Sequence, residues 1–88
     1  MLIANHHTIT DTGIQDRVIG HISWSLNVPA SQIYPYTHFK DDLQMDALDL
    51  LLLIADLESR LNVYLTPEEV EIIETVQDAS YFFQKHVA

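Results

Sequence analysis

The sequence predicts an all-α fold of three longer helices and one short one. Three observations lead there. Apolar residues recur at helical steps in separate stretches, helix-start signals stand ahead of those stretches, and no sustained period-two run bounded by hairpin turns competes with them.

Thr12-Gly13-Ile14-Gln15 reads as a capping box, and Ile14, Val18, Ile22 and Leu26 follow at steps of four, one stripe of a helix over about Gly13 to Asn27. Residues 1–12 show no clear period and are expected to be a flexible segment ahead of a bundle over 13–88. Pro29 ends the first helix, because the residue before a proline is pushed out of the helical region. A long connection, Val28 to Met45, holds Pro29, Pro35 and the polar aromatic stretch Tyr34-Pro35-Tyr36-Thr37-His38-Phe39, anchored by Ile33, Phe39 and Leu43. Asp46 is the N-cap of a second helix, Ala47 to Leu61, with Asp49 near the positive helix end. Thr66-Pro67-Glu68-Glu69 opens a short third helix to about Ile73. Thr75 with Asp78 opens the last, whose apolar side is Val76, Ala79, Phe82 and Phe83.

Composition narrows the function. The chain has 88 residues, 4 Lys+Arg against 13 Asp+Glu, and a net charge of −9. Nucleic acid is a poor partner for it, since phosphates are neutralised by clustered Lys and Arg, and the partner is expected to be basic. No cysteine is present, which removes disulfides and thiolate metal sites and fits a cytoplasmic home. The opening Met1-Leu2-Ile3-Ala4 is too short for a signal-peptide core. The longest apolar run, Leu50 to Ala55, falls far short of the roughly 20 residues of a spanning helix, so no membrane insertion is expected. A domain this small has little room for a water-excluded catalytic cleft, so a binding or carrier module is expected rather than an enzyme.

The second helix has two apolar sides. At 100° per residue Leu50, Leu53, Ile54, Leu57 and Leu61 share the face that turns to the core. Leu48, Leu52, Ala55 and Ser59 lie opposite, bordered by Asp49, Asp56 and Arg60 on one flank, with Glu58 on the other. An apolar centre with a charged edge is the build of a protein contact surface, and burying Leu48 and Leu52 would supply roughly 1.5–3 kcal/mol each.

The stretch Phe39-Lys40-Asp41-Asp42-Leu43-Gln44-Met45-Asp46-Ala47-Leu48-Asp49 resembles the attachment region of acyl carrier proteins, F-x-x-D-L-G-x-D-S-L-D. Asp16-Arg17-Val18, Leu57-Glu58, Pro67-Glu68-Glu69 and Thr75-Val76-Gln77-Asp78 are similar to that family's helix boundaries in order and spacing, so the likeness runs from about Gly13 to Val87. It implies a four-helix bundle of acyl-carrier type, a 4′-phosphopantetheine arm on the serine of D-S-L, and acyl groups presented to enzymes of fatty-acid, polyketide or related lipid biosynthesis. The implied partners are basic-surfaced enzymes: a ketosynthase, an acyltransferase and a phosphopantetheinyl transferase. Asp46, Leu48, Asp49, Leu52, Ala55, Asp56 and Ser59 are the expected contact residues, and the chain alone is expected to be a monomer.

Ala47 stands at the attachment-serine position, between Asp46 and Leu48. A methyl group has no oxygen to phosphorylate, so the expectation is a carrier that cannot be loaded: no cofactor with alanine, 4′-phosphopantetheine where position 47 is serine. The five serines, Ser23, Ser25, Ser31, Ser59 and Ser80, are not flanked by Asp and Leu at a helix start. Gln44 stands where a glycine is usual, and Leu52 and Ser59 where the family often has glutamates. The alternative is an adaptor that carries nothing and regulates a synthase through Leu48 and Leu52; a homodimeric scaffold pairing through the same stripe is a third reading.

Other candidates are weaker. Adjacent His6 and His7 rarely converge on one metal, and no third ligand follows at a recognisable spacing. His21, His38 and His86 are scattered, and Trp24 is expected to be packed rather than a binding platform.

Overall fold

A computed structural model describes the backbone over residues 5–87 and the side chains over residues 13–87. Its elements are α1 (Asn5–Leu26), a single 3-10 turn (Ala30–Gln32), α2 (Ala47–Leu61), α3 (Pro67–Ile72) and α4 (Val76–His86). The fold is the all-α bundle of four helices, with the long connection between the first two.

Three helix starts are fixed by reciprocal side-chain caps. Asp46 and Asp49, Thr66 and Glu69, and Thr75 and Asp78 each exchange a side chain for a backbone amide, satisfying donors that the first turn leaves without carbonyls. Pro67 adds a preset φ to α3. The helix α2 ends at Asn62 in the left-handed conformation (φ 56°), whose amide donates to the Glu58 carbonyl. Glu58 also accepts from the Leu65 amide at 2.9 Å, fastening the segment that leaves α2.

The first helix begins at Asn5, well before the Gly13 start expected from sequence, so Thr12 to Gln15 lie inside it and do not form a cap. The expected flexible segment falls on residues 1–4, which are outside the described ones, and on residues 5–12, of which only the backbone is described. The same holds for the His6 and His7 side chains.

The core takes Val18 and Ile22 from α1, Leu50, Leu53, Ile54 and Leu57 from α2, and Val76, Ala79 and Phe83 from α4. Leu61, expected on this face, is half-buried at the helix end. The long connection is itself part of the core through Ile33, Phe39 and Met45. The short α3 buries no residue fully and depends on its cap and on its neighbours. Main-chain bonds strap the connection to the α3–α4 junction: Phe39 N to Glu74 O (3.0 Å), Val76 N to Thr37 O (3.0 Å) and Gln77 N to Pro35 O (2.8 Å). The start of α2 therefore rises from a braced platform. Among the described residues no helix is long and apolar enough to cross a membrane.

Candidate functional site

Ala47 is the first residue of α2 and is exposed. Its amide and that of Leu48 belong to the opening turn, where no helical carbonyl is within reach, so they and the helix dipole make this end electropositive. The third amide, of Asp49, donates to Asp46 Oδ1 at 2.8 Å, and the Asp46 amide donates to Asp49 Oδ2 at 3.2 Å. Just upstream, the chain turns through Gln44 at φ 59°, a left-handed conformation that an L side chain adopts at a cost. Met45 then returns to the core, its amide donating to Phe39 O at 3.0 Å.

Beyond Ala47 the surface of α2 is apolar. Leu48 is 62% exposed and Leu52 61%, with Ala55 and Ser59 exposed along the same line. Leu51, which the wheel did not single out, is 52% exposed and widens the stripe on the flank opposite Asp49 and Asp56. The run of apolar residues from Leu50 to Ala55 was the available signal: one buried face cannot absorb so many consecutive large side chains. Asp49 and Asp56 lie on the flank toward α1 beside a cleft that also touches Ser25, Leu26 and Met45.

Each of the three described histidines meets a carboxylate, which their sequence positions did not disclose. His21, buried on α1, has Nε2 2.6 Å from Asp56 Oδ2 on α2. The amide of exposed His38 donates to Asp42 Oδ2 at 2.8 Å, and its Nδ1 is 3.8 Å from the same oxygen. His86 meets Glu69. Trp24 departs from expectation: it is 73% exposed, stacked near His21 at 6.0 Å with the Arg60 guanidinium 5.5 Å from its ring centroid. The reason is positional, since Trp24 lies about 200° around α1 from buried Ile22 and faces away from the core.

Comparison with known proteins decides the family. The family model described as "Phosphopantetheine attachment site" matches residues 16–81. Proteins named "Acyl carrier protein" from Chlorobium phaeovibrioides and Chlorobium luteolum are each 38% identical to the chain over 77 residues, 88% of this chain and 99% of theirs. A third from Chlorobium phaeobacteroides is 36% identical over the same span.

The chain belongs to the acyl carrier protein family. It is thus a carrier-type protein rather than a catalyst. The match runs from the middle of α1, through α2 and α3, to the middle of α4.

Proposed function

We propose that this acyl carrier protein family member meets enzymes of lipid or polyketide biosynthesis through α2 without carrying 4′-phosphopantetheine at position 47. One observation supports this above others: the residue that opens α2, at the place of the attachment serine, ends in a methyl group. The surroundings suit an incoming phosphate, with free first-turn amides and the positive helix end. The acceptor does not. A phosphodiester needs an oxygen on the side chain, and Ala47 has none, so the residues present do not fit the arm. Asp46, Leu48, Asp49, Leu52, Ala55, Asp56 and Ser59 form the proposed contact face, acidic at its edge and complementary to basic enzymes such as a ketosynthase, an acyltransferase or a phosphopantetheinyl transferase.

The test is intact mass after incubation with coenzyme A and a phosphopantetheinyl transferase. The chain should stay unmodified and Ala47→Ser should gain one arm. A tether on the unaltered chain refutes the absence of an arm at position 47, and failure of Ala47→Ser to load refutes the reading of position 47 as the place of the attachment serine.

A second reading, an adaptor that regulates a synthase by contact alone, is favoured by the exposure of Leu48 and Leu52 at 62% and 61%. Leucine in place of charge at position 52 makes the face more apolar, as suits lasting contact better than brief visits. It is separated from the first by stoichiometric, stable association with a synthase in the absence of any arm.

A further inference from the structure

We propose that the cleft between α1 and α2, remote from Ala47, is a second docking site that takes an acidic segment of a partner protein. It is an open cleft of about 510 Å3, lined by Arg17, His21, Trp24, Leu57, Arg60 and Leu61. Its lining holds two guanidinium groups and no carboxylate. Only 4 Lys+Arg oppose 13 Asp+Glu in the chain, yet Arg17 and Arg60 both line this opening.

The cations are held in place. Arg17 Nη2 donates to the Arg60 carbonyl at 3.5 Å, bridging the two helices. Arg60 Nε donates to Asp56 Oδ2 at 3.3 Å while its guanidinium stands over Trp24. His21 Nε2 lies 2.6 Å from the same carboxylate oxygen. Among the described residues Arg17 has no carboxylate within ion-pair distance. The site therefore has donors left over for an added carboxylate, which a guanidinium accepts in a two-point fork.

Trp24 and the leucine floor supply the apolar half. Tryptophan and arginine are the side chains that most often dominate protein contacts, and here one tryptophan and two arginines converge. A segment with an acidic side chain beside an apolar one matches both halves. Arg60 lies 13 residues along α2 from Ala47, about 20 Å at 1.5 Å per residue. The inference stands apart from the reading of position 47.

Trp24 is the chain's only tryptophan, so its fluorescence reports the cleft directly. The full chain is titrated with a synthetic peptide of alternating glutamate and leucine at low salt. The expected result is a saturable change that weakens as salt rises, and about tenfold weaker binding for each of Arg17→Gln and Arg60→Gln with unchanged helicity. Because Arg60 also holds Asp56, Arg17→Gln alone is decisive should Arg60→Gln lose helicity. No saturable change, or unaltered affinity in Arg17→Gln, overturns the proposal. So does an equal change produced by free glutamate, which would make the cleft a small-anion site. Self-association abolished by Arg17→Gln would also overturn it, by assigning the cleft to a second copy of the chain.

Discussion

His86 on α4 is joined to Glu69 on α3, with Nε2 2.9 Å from Oε1 and 3.0 Å from Oε2. Glu69 also accepts the Thr66 amide at 2.9 Å and has Lys85 Nζ at 3.6 Å. The Thr66 amide, then His86 and Lys85, outweigh partial desolvation and hold the Glu69 carboxyl below its usual value of 4.5. A lowered value in the folded state means that stability from Glu69 is fully present above pH 4.5 and is lost as pH falls through the folded value. Glu69→Gln should therefore lower Tm near neutral pH, and its gap from the unaltered chain should close as pH falls below 4.5 and on through the lowered folded value. Thermal melts across pH measure this; a gap that persists in acid would contradict it.

Asp46→Ala should cost about 1 kcal/mol in urea unfolding, the usual effect of removing an N-cap acceptor, whereas Asp46→Asn should keep most of that stability. The Asp49 amide loses its acceptor in the first variant and not in the second.

Gln44→Gly should raise the urea midpoint. An L residue in the left-handed region costs about 1–2 kcal/mol, and glycine's extra freedom in the unfolded chain gives back part of that, roughly 0.4–1 kcal/mol. A net gain of about 0.5 kcal/mol follows for the φ of 59°. Equal or lower stability would mean that Gln44 compensates its backbone by contacts.

Two neighbouring leucines on α2 should behave oppositely. Leu52, 61% exposed, is expected to tolerate Leu52→Glu with a change within about 0.5 kcal/mol. Leu53, 5% exposed, should lose about 2–5 kcal/mol in Leu53→Ala. Pull-down with a synthase should fail for Leu52→Glu, and undiminished binding would remove this face from the docking proposal.

Most of the bundle was legible in the residues because its helix starts are local chemistry. Asp46, Thr66 and Thr75 each find their partner three residues on, so α2 begins at Ala47 and α3 at Pro67 as expected. The beginning of α1 was not legible, since Thr12 and Gly13 imitate a start signal inside a helix that runs from Asn5. Exposure of Leu48 and Leu52 followed from the wheel; that of Leu51 did not, because it sits at the margin between buried and open faces. The grouping of Arg17, Trp24 and Arg60 depends on how α1 lies against α2, a long-range relation with no spacing to betray it.

The main-chain straps from the long connection to the α3–α4 junction have a kinetic consequence. They leave the platform under Ala47 already assembled, so the docking proposed at this end of α2 is a matter of collision and orientation rather than of folding a loop around the visitor. On the proposed reading, discrimination among visitors falls to the side chains that this ledge displays.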